Sequence, residues 1–335
     1  MSGNRGAADI DPTAVVILGE LAYDSPLIAC RFDPQGDRIA ASAQDNRIVL
    51  WETAGERRTV LSGHDSWVLA LTFVPDQPTL ISAGCDGRLL WWDLSADAPQ
   101  PTFAVAAHSG WIRAMAISPD GRQLATAGND ATVKLWQVAD GKLLATLTEH
   151  RKHVYSVAFH PSGALVSGDL AGVILQWDLP TGRSVRQFDG TKLHSYNGGQ
   201  QVDFGGVRSL AFSHDGQYLA GGGLHNASNP LGAVPDPLVL LFDWDSGALV
   251  RSLMTSDMQG VIWRVVFSGD DRLIGVSSET SGGFLLFWQI DQDSDVHRLK
   301  LPNFARDMDL HSDDSRIATA CFDSCLLYTS DAADE

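Results

Sequence analysis

Short apolar runs recur along most of this 335-residue chain, each followed by a tight turn rich in Pro, Asp, Ser and Gly. Examples of the runs are Val68–Phe73, Ile112–Ile117 and Val154–Phe159. The turn residues set the backbone angles that hairpins require. A strand of small residues, an Asp-bearing turn, a strand ending in Trp and a fourth short strand such as Leu143–Leu147 complete each unit. The pattern predicts an all-β protein built from four-stranded antiparallel units of about 42 residues.

The residues that end the third strand give the period of this repeat. In the first four units these residues are tryptophans, spaced 41, 44 and 41 residues apart. A period in this range, with four strands per unit, is typical of a propeller blade. The residues are Trp51, Trp92, Trp136 and Trp177, continued after longer gaps by Phe242 and Trp288.

Equivalent apolar residues near the end of the first strand give the number of blades. Seven are present, which predicts a seven-bladed β-propeller with blades starting near residues 27, 68, 112, 154, 207, 262 and 305. The apolar segment 15–18 has no blade of its own. Since an unpaired edge strand must be covered, we expect it to be the outer strand of blade seven and to close the ring. The seven equivalent residues are Phe32, Phe73, Ile117, Phe159, Phe212, Phe267 and Leu310.

Gly-His and Trp-Asp pairs at fixed places in the repeat resemble the WD-repeat family. The best match is Gly63-His64 with Trp92-Asp93. Looser matches are Ala107-His108 with Trp136-Gln137 and Glu149-His150 with Trp177-Asp178. A single pair of this kind is not specific for the family. Six copies in phase over about residues 27–323 are specific for it. The resemblance implies a propeller that acts as a platform for protein interaction.

The resemblance also implies a buried hydrogen-bond network of His, Ser or Thr, Asp and Trp within each blade. Hydrogen bonds to charged groups are worth about 1.5–3 kcal/mol each. Blade four keeps His150, Ser167 and Trp177 but has Ala171 where the Asp is expected, and blades five and six have largely lost the set. We therefore expect blades two and three to be the most rigid. Their complete sets are His64, Ser82, Asp86 and Trp92, and His108, Thr126, Asp130 and Trp136.

Net charge and composition limit the classes of partner that the protein is expected to bind. The chain carries 41 Asp and Glu against 24 Lys and Arg, a net charge of −17. Nucleic-acid binding needs clustered cations, so we expect no nucleic-acid partner. No run approaches the roughly 18 apolar residues of a membrane helix, and the N-terminus lacks a cleavage signal, so we expect a cytoplasmic protein without a membrane partner. The four cysteines form no CxxC pair, which argues against a disulfide framework or zinc site.

Both ends of the chain depart from the repeat. Residues 1–14 are expected to form a flexible tail. Residues 325–335 resemble the translation of an adapter used in DNA sequencing libraries, and we expect them to be a scar that replaces the end of a truncated blade seven. The alternative is a divergent final strand followed by an acidic tail.

Three sets of residues resemble catalytic or ligand sites. His64, Ser82 and Asp86 have the composition of a nucleophilic triad, but a similar set recurs one blade later and both end on Trp, which favours structure. His150 and His153 have no third ligand at a matching position. The glycines at 221–223 lack the Lys-Ser/Thr that follows in a phosphate loop. We therefore expect no catalytic residues, no metal and no cofactor.

Insertions collect on one face of the predicted propeller. Segments 188–203, 224–237 and 278–283 lengthen loops that family geometry places on the top face, in blades five and six. Long loops of this kind are usually functional or disordered. Two hypotheses follow: a non-catalytic scaffold, as a monomer or a subunit of a larger complex, or an enzyme or small-ligand binder using the central channel. The second needs convergent carboxylates, His or metal ligands, and none are in phase.

The family also implies which side chains face the partner. Residues beside the first inward-facing position of strand one point to the top surface. Trp, Tyr and Arg, the types that dominate binding hot spots, are frequent there, and the Arg positions suit acidic groups on a protein or peptide lying across blades two to four. The alternative is that the Trp rings cap the channel and the Arg residues pair with neighbouring Asp. The candidates are Trp67, Leu69, Trp111, Arg113, His153, Tyr155, Arg208, Trp263 and Arg306.

Overall fold

Seven four-stranded antiparallel sheets form a closed ring, so the seven-bladed propeller predicted from the repeat is confirmed. The structure, a computed structural model, describes residues 11–55, 57–227, 235–255, 257–269, 271–279 and 282–331. The only helix in these ranges is a single 3-10 turn, Thr191–Leu193. None of the described helical segments is long and apolar enough to cross a membrane.

The first strand of each blade lies at the centre and contacts the first strands of both neighbouring blades. Six of the seven start within one residue of the predicted blade starts, and the inner strand of blade five starts two residues later than 207. These inner strands are β2 Leu27–Phe32, β6 Val68–Phe73, β10 Ile112–Ile117, β14 Val154–Phe159, β20 Ser209–Phe212, β24 Val261–Phe267 and β28 Ala305–Leu310.

Three further strands complete each blade outward from the channel. The second strands are β3 Arg38–Ala43, β7 Thr79–Gly84, β11 Gln123–Gly128, β15 Leu165–Asp169, β21 Tyr218–His225, β25 Leu273–Glu279 and β29 Arg316–Cys321. The third strands are β4 Ile48–Glu52, β8 Arg88–Asp93, β12 Val133–Gln137, β16 Val173–Asp178, β22 Asp236–Asp243, β26 Gly282–Trp288 and β30 Cys325–Asp331. The outer strands are β5 Arg58–Leu61, β9 Pro101–Ala106, β13 Leu143–Leu147, β17 Arg183–Asp189, β23 Leu249–Met254, β27 His297–Leu301 and, in blade seven, β1 Val15–Ala22.

The N-terminal strand closes the ring as predicted. β1 pairs antiparallel with β30, from Val15 opposite Asp331 to Ala22 opposite Cys325. The adapter-like segment thus supplies the third strand of blade seven, where Leu326 is fully buried. The side chains of Leu327 and Tyr328 lie outside the described residues, as do residues 1–10 of the tail expected at 1–14. Residues 11–14 form a turn ahead of β1. That 325–335 is a scar remains a prediction.

The core consists of layers between blades rather than one central mass. The described residues contain seven apolar clusters, one between each pair of adjacent blades. Trp91, Trp92 and Trp288 are among the largest fully buried side chains. Because each blade buries its faces only against its neighbours, the layers hold the inner strands around the channel in a fixed geometry.

Blades two and three contain the hydrogen-bonded series that the resemblance implied. In blade three, Trp136 Nε1 donates to Thr126 Oγ1 over 2.9 Å, and Thr126 Oγ1 lies 2.7 Å from His108 Nε2. His108 Nδ1 is 2.9 Å from Asp130 Oδ1. Burial alone would raise the pKa of Asp130, but hydrogen bonds from His108 and Thr132 hold it below its usual value. The series ties the loop before the inner strand to the turn after the second strand.

Blade two repeats this geometry. His64 Nδ1 and Nε2 lie 2.8 Å from Asp86 Oδ2 and from Ser82 Oγ, and Trp92 Nε1 donates to Ser82 Oγ over 2.9 Å. The triad-like composition noted in the sequence therefore belongs to a buried structural series.

Blade four corrects the expectation that its network lacks a carboxylate. Asp169, two residues before Ala171, ends β15 and places Oδ2 3.0 Å from His150 Nδ1. His150 Nε2 lies 2.7 Å from Ser167 Oγ, to which Trp177 Nε1 donates over 2.8 Å. The carboxylate reaches the His150 imidazole from the end of β15 rather than from the turn that follows, so the hydrogen-bonded series of blade four is complete.

In their described residues, blades five and six lack the network, as expected, because glycine occupies the Ser or Thr position. Gly221 and Gly275 stand opposite Leu210 and Val265 in the same register as Ser82 opposite Leu71 in blade two. A Cβ on Gly275 would lie 2.8 Å from the Trp288 ring. The indole thus fills the space that a hydroxyl-bearing side chain occupies elsewhere.

The predicted insertions are smaller than the sequence suggested, because strands extend into them. Residues 188–189 belong to β17, and the 3-10 turn Thr191–Leu193 then leads into a hairpin, β18 His194–Asn197 and β19 Val202–Gly205. β21 and β22 pair as far as His225 and Asp236, and residues 228–234 between them lie outside the described part. Glu279 pairs with Gly282, while 280 and 281 likewise lie outside it.

Candidate partner-binding surface

A bulge at the same place in the inner strands directs one side chain per blade to the mouth of the central channel. The pairing register shifts at this residue in six blades, and in blade five the equivalent residue immediately precedes β20. Bulges re-aim a side chain relative to the regular strand. The seven equivalent residues are Ile28, Leu69, Arg113, Tyr155, Arg208, Trp263 and Arg306.

Arginines and aromatic rings alternate around this mouth from blade three to blade seven. The Cζ atom of Arg113 lies 5.0 Å from the ring centroid of Tyr155, and that of Arg208 lies 4.5 Å from the same ring. Arg208 and Arg306 Cζ lie 5.4 and 5.2 Å from the ring of Trp263. These five residues are here called the arginine–aromatic arc. Within it, the rings of Tyr155 and Trp263 hold the three guanidinium groups by cation–π contact.

The rim beside the arc carries two exposed indoles. Trp111 is 43% exposed and its ring centroid lies 4.6 Å from Arg113 Cζ, while Trp67 is 38% exposed. Leu69 lines the channel mouth. His153 does not join this group, because it borders a separate depression with Lys152 and Asp203.

The arc borders a cavity of about 150 Å³, here called the arginine cavity. Sequence reasoning missed the two arginines and the carboxylate deeper in its wall, because it considered only the residues beside the first inward-facing position of each inner strand. Arg264 directly follows the bulge residue Trp263, and Asp307 directly follows Arg306, so their positions relative to the bulge were a usable signal. Besides the arc, the lining includes Ile28, Arg31, Leu69, Met115, Arg264 and Asp307.

The deeper arginines are paired with carboxylate. Arg31 Nη1 lies 2.6 Å from Asp307 Oδ2, and Arg264 Nε lies 3.9 Å from Asp307 Oδ1. Burial alone would lower the pKa of Arg31, but the Asp307 charge reverses this and raises it. Burial raises the pKa of the neighbouring Asp309, whose Oδ2 accepts the Phe32 amide.

The arginines of the arc have no such partner. No described carboxylate lies within salt-bridge distance of Arg113, Arg208 or Arg306, so the alternative in which they pair with neighbouring Asp does not apply to them. Arg113 Nε donates to Asn129 Oδ1 over 2.8 Å. Burial lowers the pKa of Arg208, and the charges of Arg113 and Arg306 lower it further.

The inserted hairpin is fixed beside this surface by charge. Asp203 Oδ2 lies 2.6 Å from Lys152 Nζ, and its Oδ1 lies 2.9 Å from His194 Nε2. These contacts join blade four to the loop that leads into blade five. Tyr196 on the hairpin is 59% exposed and offers a further aromatic contact.

Fold and surface together define a repeat propeller with an aromatic and cationic channel mouth. The sequence profile of the family described as "WD domain, G-beta repeat" matches residues 17–52, 55–93, 99–137, 141–178 and 190–226. These matches cover more than half of the chain, and the protein belongs to the WD-repeat family.

Curated relatives are similar over parts of their length. WD repeat-containing protein 1 of Gallus gallus is 26% identical over 161 residues, 46% of this chain and 26% of that protein. Polyadenylation factor subunit 2 of Neurospora crassa is 38% identical over 173 residues, 50% of this chain and 25% of that protein. The U5 small nuclear ribonucleoprotein 40 kDa protein of Homo sapiens is 35% identical over 68 residues, 20% of this chain and 19% of that protein. The chain therefore matches about a quarter or less of each.

Proposed function

We propose that this protein is a non-catalytic scaffold that binds a protein or peptide partner on the top face of the propeller. The observation that carries the proposal is the arginine–aromatic arc, whose cations lack carboxylate partners among the described residues. The arc spans blades three to seven, so the proposed footprint is wider than blades two to four and centres on the channel mouth.

The physical properties of the arc suit a binding hot spot. Aromatic rings and Arg bury large areas and keep polar groups for recognition. Because each guanidinium already stacks on a ring, little side-chain freedom is left to lose when a partner binds. Trp263 is also fixed by its Nε1–H, which donates to Ser278 Oγ over 2.6 Å. Exposed Trp67 and Trp111 extend the apolar area outward.

The lining of the channel favours binding over the alternative of an enzyme or small-ligand binder. The described residues that line the arginine cavity include no His, Cys, Ser or Thr, and their one carboxylate, Asp307, is paired with Arg31. A nucleophile and its base would have to lie within hydrogen-bond reach of each other. Relatives named as a subunit of a polyadenylation factor and a protein of a ribonucleoprotein fit a role inside a complex.

Because the chain is strongly acidic overall, we expect a partner with acidic groups to bind at this face and not elsewhere on the protein. With a net charge of −17, the rest of the surface repels nucleic acid and acidic proteins alike. The unpaired arginines offer bidentate donors to carboxylate or phosphate. A cytoplasmic location remains a prediction.

The test is quantitative affinity capture from the source cells with three forms of the protein. Trp111→Ala with Arg113→Ala removes one indole and one cation from the channel mouth. Val185→Ala with Arg183→Ala removes one exposed aliphatic side chain and one cation from the outer strand of blade four and is the control. We expect proteins captured by wild type and control to be reduced at least tenfold with the top-face variant, with equal circular dichroism for all three. Equal capture by all three forms would refute the top-face assignment.

A further inference from the structure

The arginine cavity concentrates positive charge on a strongly acidic chain. Five arginines line it, Arg31, Arg113, Arg208, Arg264 and Arg306, against the single carboxylate of Asp307. The chain as a whole has 41 acidic and 24 basic residues, so composition does not account for this cluster. The cluster is a property of how blades one, three, five, six and seven meet.

Asp307 neutralises only part of this charge. It is shared between Arg31, at 2.6 Å, and Arg264, at 3.9 Å. The three arginines of the arc are held by ring contacts and, for Arg113, by a hydrogen bond to Asn129, and none of these contacts cancels the charge of a cation. The free protein therefore holds an excess of positive charge at the channel mouth.

Two donors in the wall are buried without an acceptor. The Nε atoms of Arg208 and Arg264 have no hydrogen-bond partner in the described residues. A buried unsatisfied donor on a charged group is costly, and such groups are normally paired. Burial lowers the pKa of Arg208 and the charges of Arg113 and Arg306 lower it further; an anion between the arginines would relieve this repulsion.

The size and charge of the cavity favour a phosphate group over a carboxylate. A volume of about 150 Å³ corresponds to about five waters at liquid density, enough space for a phosphate group. A phosphorylated side chain carries about −1.5 to −2 charges at pH 7 and three acceptor oxygens, whereas a carboxylate carries one charge. Several arginines converging on one point match the tetrahedral set of phosphate oxygens.

The rim indicates that the phosphate is attached to a protein. Trp111 packs against Arg113 at 4.6 Å while 43% of it remains exposed, so residues next to the phosphate would meet an aromatic surface. A free phosphate ion would have no use for that surface.

We propose that the arginine cavity receives the phosphate of a phosphorylated side chain on the partner, so that partner binding depends on phosphorylation. This inference rests on the proposed top-face scaffold function and names the group that the site recognises.

The experiment uses the full chain and immobilised degenerate peptide pools with a central phosphoserine, phosphothreonine or phosphotyrosine, beside identical pools without phosphate. The test variant is Arg208→Gln with Arg306→Gln; neither guanidinium donates a hydrogen bond within the described residues, and the Arg208 backbone amide, which donates to Gly222 O, is unchanged. The matched control is Arg122→Gln with Arg183→Gln, on exposed turns and outer strands. We expect wild type and control to be retained at least tenfold better by one phosphorylated pool, and the test variant to lose this selectivity. Circular dichroism checks that each variant is folded.

Other outcomes overturn the proposal in distinguishable ways. Equal retention on phosphorylated and plain pools refutes phosphate recognition, and the scaffold function survives if that retention still requires Trp111 and Arg113. Selective retention that the test variant keeps refutes the cavity as the site. Retention by no pool refutes the proposal too. If inorganic phosphate then raises the melting temperature of wild type but not of the test variant, at matched ionic strength, the ligand is the free ion.

Discussion

Asp169 is the residue whose replacement best tests the network of blade four. Its carboxylate is buried, with only 2% of the residue exposed, and accepts three hydrogen bonds. Oδ2 lies 3.0 Å from His150 Nδ1, and Oδ1 accepts the amides of Ala171 and Val173 over 2.9 and 3.0 Å. Asp169→Ala removes all three acceptors at once and leaves the imidazole buried.

The expected decrease in the free energy of unfolding of Asp169→Ala follows from these contacts. Each buried donor left unsatisfied costs about 1–3 kcal/mol. The two amides are only partly buried, so water recovers part of their share, and we expect a total of about 3–5 kcal/mol. For a chain of this size, about 2 °C per kcal/mol gives a melting temperature lower by roughly 6–10 °C. Asp169→Asn keeps an oxygen for the amides and should fall between wild type and Asp169→Ala.

Thermal unfolding followed by circular dichroism, with urea unfolding followed by Trp fluorescence, measures the effect. Asp215→Ala is the matched control, because Asp215 accepts only Ser213 Oγ and the Gln217 amide in an exposed turn. We expect Asp215→Ala to cost at most about 1 kcal/mol. Equal midpoints for Asp169→Ala and Asp215→Ala would refute the reasoning that the carboxylate closes a buried network.

Three further predictions concern stability. Burial lowers the pKa of His108 in the folded protein. The stabilisation by the neutral imidazole is therefore complete above the unfolded-state pKa of about 6.5 and is lost as pH falls through the lower folded-state pKa. The melting temperature should drop between pH 7 and pH 5, and the drop should be smaller in His108→Gln. In Gly128→Ala the new Cβ would lie 2.3 Å from His108 Nδ1, which should cost about 1–3 kcal/mol in urea unfolding, whereas Gly55→Ala, with open space around it, should match wild type. Removal of residues 1–22 exposes the edge of β30 and should cause aggregation, which size-exclusion chromatography detects. Removal of residues 1–10 is the control. A 1–22 deletion that stays monomeric and equally stable would contradict closure by β1.

Much of the fold could be read from the sequence because its signals are local and repeated. The Trp period and the turn residues between Phe73 and Leu80 or Ile117 and Leu124 specify strands from neighbours a few residues away. Closure by 15–18 was also predictable, since an apolar strand with no blade needs a partner. The insertions were overestimated because β21 and β22 remain paired as far as His225 and Asp236, where composition suggested a loop.

The site was only partly predictable. Family geometry placed Arg113, Arg208 and Arg306 on the top face, and they do line the channel mouth. The sequence did not reveal that Asp169 would reach His150, because that depends on the direction in which a strand end presents its side chain.

The sequence by itself determined the number of blades, the strands within them and the residue types at the bulged positions. Only the tertiary structure decided that Arg31, Arg264 and Asp307 share one cavity with the arc. Arg31 and Asp307 are 276 residues apart in sequence and meet because the ring closes and brings blade seven beside blade one. The bulge in each inner strand then turns side chains from separate blades toward one channel. The charge excess that defines the site therefore arises because the closed ring brings together side chains that are far apart in the chain, and local patterns do not specify which distant side chains meet.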